Sequence, residues 1–195
     1  MSALGARLGD LRERLSAAGV GYALVGGLAV SVRVEPRFTR DVDLAISVAD
    51  DAAAEALVQR LVPPYELLAS MEHDAMGRLA AVRIGASEAP TDPVADLLFA
   101  SSGIEPEIVA GAEPLEILPG VVLPVATVGH LLALKLLSRD AARPQDDIDL
   151  VALLGVASRE DRSVAADAVG RIVARGAHRD RPLEADWQRL VEEHG

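Results

Sequence analysis

The sequence predicts an α/β fold: a small mixed sheet flanked by helices, followed by a helical C-terminal region. Three observations predict it. Short apolar runs bounded by Gly, Pro or Asp recur through the first two thirds of the chain, at Ala23 to Val25, Val42 to Ile46, Leu79 to Ile84, Pro93 to Ala100 and Val121 to Val125. Segments with leucines three and four residues apart lie between and before them. After Thr127 only helical spacing remains, which divides the chain into a core over 1–125 and a helical region over 126–195.

Taken in order, Ala3 to Ala18 is expected to be an amphipathic helix, with Leu4, Leu8, Leu11 and Leu15 on one face and Gly19 and Gly21 ending it. Tyr22 to Ile46 reads as strand, Gly-Gly turn, short helix, polar loop and strand. Ser47 to Asp51 makes a turn, Asp51 caps a helix over Ala52 to Leu61, and Pro63-Pro64 stops it. Tyr65 to Ala69 and Leu79 to Ile84 are strands joined across a polar loop that holds His73, Asp74 and Gly77. Ser101 to Gly120, rich in Glu, Pro and Gly, is expected to leave the sheet, with a short helix over Pro106 to Ala110. Thr127 starts a helix through Arg139, and Pro144 opens the next, as suits a first-turn position. Ser158 and Asp161 form a capping box for a helix that ends near Arg175, before Gly176. A last helix over Pro182 to Glu193 carries Trp187 and Leu190 as packing anchors.

Composition narrows the function classes. Of 195 residues, 50% are hydrophobic, enough for a packed core, but only 3% are aromatic, so aliphatic side chains must fill it. Cysteine is absent, which excludes disulfides and thiolate zinc sites and points to a cytoplasmic protein. No signal-like N-terminal pattern and no membrane-length apolar run is visible, so no membrane partner is expected. A net charge of -11 argues against a protein that coats nucleic acid non-specifically, because phosphate neutralisation dominates such binding. It leaves room for a nucleic-acid substrate held by a local basic patch. Among 19 Lys and Arg residues all but Lys135 are arginine, so Lys135 marks a position where a compact, flexible point charge suits better than a planar fork.

The chemistry concentrates in Tyr22 to Ile46. Asp41 and Asp43 are two apart at the start of a strand, so their side chains leave on the same face. Two like charges so close repel, and a divalent cation relieves them; Mg²⁺ is commonly held by one or two carboxylates plus substrate phosphates. Gly26 and Gly27 stand at a strand-to-helix turn, where the backbone can approach a ligand and the helix N-terminus presents N–H groups to an anion. Arg33, Arg37 and Arg40 add positive charge between turn and acids.

The pattern of Gly26, Gly27, Ala29 and Ser31, then Arg37, Thr39, Asp41 and Asp43, resembles the nucleotidyltransferase superfamily related to DNA polymerase β. Within it the match is closest to the AbiEii/AbiGii-type toxins, including the mycobacterial MenT-type enzymes. The order of Lys135, Leu136, Leu137, Arg139, Arg143, Pro144, Asp146, Asp149 and Leu150 resembles the second-half motif of the AbiEii-type proteins.

The resemblance implies a nucleotidyltransferase fold and a set of roles. Asp41 and Asp43 would bind Mg²⁺ or Mn²⁺. Asp96, in the V-x-D-L-L pattern, would be a third acid that ligates the metal or orients the attacking hydroxyl; the competing reading is an edge strand with Asp96 facing water, and Asp92 is the rival third acid. Gly26, Gly27, Ser31 and Arg37 would contact the phosphates of a nucleoside triphosphate, and Lys135 would offset charge on the β- and γ-phosphates. Asp149 would hold Lys135 or a nucleotide-binding arginine in place, whereas Asp146 would favour its helix N-terminus. The implied activity is a toxin of a toxin–antitoxin pair that transfers a nucleoside monophosphate to the 3′ end of tRNA and blocks translation, with a cognate antitoxin protein as partner. A small-molecule acceptor of the aminoglycoside kind, which would suit the acidic charge, and a non-catalytic partner module are the alternatives.

Two further features stand apart from the motif. Thr39 lies two residues before Asp41, where phosphorylation would compete for the arginines and the metal. Arg171, Arg175, Arg179 and Arg181 form the densest basic cluster, either a surface for a nucleic-acid backbone or acidic partner, or an ion-paired exterior.

Overall fold

The computed structural model describes residues 2–35, 39, 41–74, 77–86, 93–140 and 142–194. The described elements follow the predicted alternation. Helix α1 (Ala3–Ala17) precedes β1 (Gly21–Val25), α2 (Gly26–Arg33), β2 (Val42–Ser47), α3 (Asp51–Leu61), β3 (Tyr65–His73), β4 (Arg78–Ala86), β5 (Ala95–Leu98), α4 (Glu105–Ala110), β6 (Glu113–Leu118) and β7 (Val121–Val125). Helices α5 (Val128–Ser138), α6 (Pro144–Val156), α7 (Arg159–Ala174) and α8 (Leu183–His194) complete the chain. No helix among the described residues is long and apolar enough to cross a membrane.

The strands form one mixed sheet in the order β3-β4-β5-β2-β1-β7-β6. β1 runs antiparallel to β2 and parallel to β7, while β2 runs parallel to β5. Central strands are nearly continuous in apolar character: Ala23, Leu24 and Val25 of β1, and Val42, Leu44, Ala45 and Ile46 of β2, are all buried. α1 contributes Leu8, Leu11 and Leu15 to the core, as its leucine spacing predicts. α2 touches both the sheet and α5, and α5 in turn packs against α6, α7 and α8.

Several expectations are corrected. The segment after Ser101 does not stay outside the sheet, because residues 113–118 pair antiparallel with β7 as the edge strand β6. Its Glu and Pro content disguised it; an edge strand pairs on one side only and tolerates Pro114. β3 extends to His73, so that residue is in a strand and not in the connecting loop. Asp50, not Asp51, caps α3 by accepting from the Ala53 amide at 2.8 Å, and Asp51 in the first turn accepts from Arg78 and the Leu79 amide. β5 lies between β4 and β2, which removes the edge-strand reading of Asp96. The Ser158–Asp161 capping box is present as expected.

α5 and α7 approach closely at Gly129, where an added Cβ would lie 2.5 Å from the Asp161 carbonyl oxygen and 2.7 Å from Val164 Cβ. Backbone cannot yield as a flexible side-chain tip does, so Gly129→Ala forces α7 outward. Overpacking of this kind costs about 1–3 kcal/mol. Urea unfolding of the variant is expected to show that loss, and an unchanged midpoint would contradict the α5–α7 contact.

Candidate active site

The site begins with strand register. Val25 of β1 stands opposite Asp43 of β2, Asp43 opposite Asp96 of β5, and Asp96 opposite Arg83 of β4. Residues opposite one another share a face, so Arg83, Asp96 and Asp43 form a charged row across three strands. Asp41 lies immediately before β2, exposed, two residues from Asp43. β1 then passes directly into α2 at Gly26, whose φ of +64° is the left-handed conformation that glycine adopts without steric cost. A Cβ at Gly26 would lie 1.9 Å from Asp43 Oδ2, so the glycine is required by the carboxylate beside it as well as by the turn. The N-cap of α2 is Val25, which supplies no side-chain acceptor to the first turn.

These groups line a cleft of about 900 Å³, together with Lys135, Ser138 and Asp146 from the C-terminal helices. Lys135 Nζ is 2.7 Å from Asp146 Oδ1 and 2.8 Å from Asp149 Oδ2. Asp149 also accepts from Gln145 Nε2 at 3.0 Å, and Asp146 from the Ser138 hydroxyl at 3.3 Å. Both aspartates are buried, at 5% and 2% relative exposure. Burying charge without partners is costly, and Lys135 pairs with both. Asp146 therefore does more than favour a helix N-terminus: one turn before Asp149 on α6, it faces α5 and shares the lysine.

Arg83 grips Asp96 with two hydrogen bonds, Nε to Oδ1 at 2.8 Å and a terminal nitrogen to Oδ2 at 2.6 Å. That geometry is the strong bidentate form, yet it uses only one lone-pair position on each oxygen. Asp96 keeps acceptor capacity toward the cleft. Burial, then the charges of Asp96 and Asp41, push the Asp43 carboxyl up to about 6, against the pull of Lys135 and Arg83.

The carboxylates fit a hard divalent cation. They are oxygen donors, they are adjacent, and their mutual repulsion is what a cation would relieve. No three His, Asp or Glu side chains among the described residues form a ready metal cage.

The remaining predicted residues divide. Ser31 does not line the cleft; its hydroxyl donates back to the Gly27 carbonyl at 2.9 Å within α2. Arg33 is committed to structure, pairing with Glu113 at 2.6 Å and donating to the carbonyls of Val125 and Ala126. Arg37, Arg40 and Asp92 lie outside the described residues. Thr39 is partly buried. In the basic cluster, Arg171 and Arg175 pair with Glu107, and Arg181 donates to the carbonyls of Leu137 and Arg139 at the end of α5. Arg179 alone of the four lines the cleft.

Sequence reasoning overlooked the functional placement of three cleft groups. Arg83 lay in an apolar run, AAVRIGA, and the period of two alone does not set its register against Asp96. Glu105, 2% exposed, accepts from the amide and hydroxyl of Ser102, both beside the cleft. Arg143 faces the cleft just before α6. Arg143 belongs to the second-half motif, although no role was assigned to it there; no local signal marked Glu105.

Comparison with known proteins gives the following. The family described as "Nucleotidyl transferase AbiEii toxin, Type IV TA system" matches residues 10–194. No curated protein matches. The crystal structure of an antigenic nucleotidyltransferase-like protein from Paracoccidioides brasiliensis is similar in fold, with a TM-score of 0.52 and 18% identity over 90% of this chain and 91% of that one. The solution structure of the antibiotic-resistance factor ANT(2'')-Ia gives a TM-score of 0.49 and 14% identity, over 89% of this chain and 96% of that one.

The raised carboxyl of Asp43 predicts a pH effect with a definite sign. Its folded pKa lies above its unfolded value, so ionisation disfavours the folded state and stability falls as pH rises from about 4 through about 6. Asp43→Asn removes that loss. Without divalent cation, the variant is expected to melt above the parent at pH 7, by the equivalent of on the order of 2–3 kcal/mol, and to match it near pH 4. Equal melting at both pH values would contradict the strained carboxylate.

Proposed function

We propose that this chain, which belongs to the AbiEii nucleotidyltransferase toxin family, transfers a nucleoside monophosphate from a nucleoside triphosphate to the 3′ end of tRNA and so blocks translation. The nucleotidyltransferase class follows from the family. The site assignments, the metal, the tRNA acceptor and a cytoplasmic setting with a cognate antitoxin are our reading. The observation that carries it is the convergence of Asp41, Asp43, Asp96 and Lys135 on one cleft beside the Gly26-Gly27 turn.

Each side chain has a role that its surroundings support. Asp41 and Asp43 would hold Mg²⁺, which neutralises charge on the phosphates when bound. The uncapped first turn of α2 offers N–H groups to the phosphates at Gly26 and Gly27. Lys135, steadied by Asp146 and Asp149, faces the β- and γ-phosphates as a point charge. Asp96, oriented by Arg83, accepts a hydrogen bond from the acceptor hydroxyl and takes its proton. The hydroxyl oxygen bonds to the α-phosphorus, the bridging α–β bond breaks, and pyrophosphate leaves with the electron pair. Catalysis is then mainly positioning and electrostatic stabilisation.

The test is incubation of the protein with each radiolabelled nucleoside triphosphate, Mg²⁺ and total tRNA. Label is expected in tRNA with the parent, and to be lost by at least about a hundredfold with Asp41→Ala, as for removal of a principal electrostatic group. Thr39→Glu in the same assay is expected to be silent, because charge added two residues from Asp41 mimics a phosphate there. Nucleotide bound but no label on tRNA would redirect the reading to a small cationic acceptor, which a net charge of -11 would favour. No nucleotide binding would sink the enzymatic assignment of the site.

A further inference from the structure

Four cationic side chains line the cleft among the described residues: Arg83, Lys135, Arg143 and Arg179. Two of them are neutralised from within. Arg83 pairs with Asp96, and Lys135 with Asp146 and Asp149. Arg143 and Arg179 are not: neither has a carboxylate within ion-pair distance among the described residues. Arg179 donates to the carbonyl and hydroxyl oxygens of Ser101, at 3.2 and 3.3 Å, both neutral acceptors. In a chain with 30 Asp and Glu against 19 Lys and Arg, two cleft guanidiniums with no ion pair among the described residues stand out against the balance of charge.

They arrive there from separate connections. Arg143 precedes Pro144 at the N-terminus of α6, and Arg179 lies between α7 and α8. Arg179 and Asp180 hold φ of +53° and +56°, left-handed values that non-glycine residues rarely adopt. Strain of this sort persists only where surrounding structure enforces it, and it clusters at sites that bind ligands. Here the enforcing contacts are identifiable: Arg175 ties the end of α7 to Gly103 and Glu107, and Arg181 ties the far side of the turn to the end of α5. The turn between them is pinned with Arg179 at the cleft. Burial, then the charges of Arg143 and Arg181, lower the Arg179 guanidinium against the opposing pull of Glu105, so Arg143 and Arg179 feel each other. An anion between or beside them would relieve that repulsion.

We infer that Arg143 and Arg179 form a second anion subsite in the cleft, one that takes a phosphate group through charge-assisted hydrogen bonds distinct from the lysine contact. Guanidiniums suit phosphate because their planar fork matches its oxygens. Two sources carry this chemistry, the terminal phosphates of a nucleoside triphosphate and the backbone phosphodiester of an RNA acceptor. The inference deepens the nucleotidyltransferase reading and rests on it for the choice of these sources.

The experiment compares the parent with Arg143→Gln, Arg179→Gln and the double variant. Arg143 is exposed and has no side-chain partner among the described residues, so its substitution keeps the test valid even where Arg179→Gln lowers the melting temperature. Calorimetric titration with inorganic tripolyphosphate and Mg²⁺ is expected to show at least tenfold weaker binding in the double variant, and a smaller loss in Arg143→Gln alone. A nucleoside triphosphate and a single-stranded oligoribonucleotide then separate the sources. A loss confined to the triphosphate assigns the site to the nucleotide. A loss confined to the RNA, with the slope of log affinity against log salt shallower by about 0.7 for each contact removed, assigns it to the acceptor backbone. Equal affinity of parent and double variant for all three probes, or no binding of any probe by the parent, overturns the subsite. Arginine-dependent tripolyphosphate binding in a protein that transfers no nucleotide would keep the subsite and reject the transferase reading.

Discussion

Asp43 and Asp96 stand opposite each other on neighbouring parallel strands, on the same face. Strands lie about 4.8 Å apart, so two unit charges placed there repel by roughly 3 kcal/mol at an effective dielectric near 20. Nothing about strand pairing requires this; apolar residues would pack better. The rest of the site reads as a response to it. Arg83 takes hold of Asp96 from the next strand, Lys135 adds a positive field from α5, and Asp43 still carries a carboxyl raised to about 6. The conflict is left partly unresolved, and the proposed cation and phosphate would relieve it.

The C-terminal helices gain their purpose from the same constraint. Lys135 lines the same cleft as the sheet's acids because α5 lies against α2, and α2 leaves β1 at the residue after Val25, itself in register with Asp43. Strand order and helix packing thus set one charge relative to another. The Asp146–Lys135–Asp149 arrangement fixes where the ammonium sits. Removing one member of such a buried group leaves an uncompensated charge, typically worth about 3–5 kcal/mol. The arrangement is therefore a device for position, at some risk to stability.

Much of this was legible in the sequence, for reasons that differ by element. Asp41 and Asp43 were visible as a D-x-D pair, although the strand begins only at Val42, so the period of two that placed both on one strand face does not extend to Asp41. Lys135 was visible because it is the lone lysine, set among leucines. The helices of the second half announced themselves through Thr127, Pro144 and the Ser158–Asp161 box, all local effects. What escaped depended on partners distant in the chain. The register of β4 against β5 decides that Arg83 meets Asp96, thirteen positions away. Asp146 resembled an ordinary first-turn acid until α6 was seen to face α5. The arginine cluster looked uniform as text, yet two members hold Glu107, one seals the end of α5, and one faces the cleft. β6 was hidden because edge strands tolerate the composition of loops.

The most direct measurement is anomalous diffraction from crystals grown with Mn²⁺ and a non-hydrolysable nucleoside triphosphate analogue. The account predicts one anomalous peak within coordination distance, about 2.0–2.2 Å, of carboxylate oxygens of Asp41 and Asp43, with the triphosphate running from the Gly26-Gly27 turn toward Lys135. A peak elsewhere in the molecule, or a nucleotide bound with its phosphates away from Lys135, would contradict it.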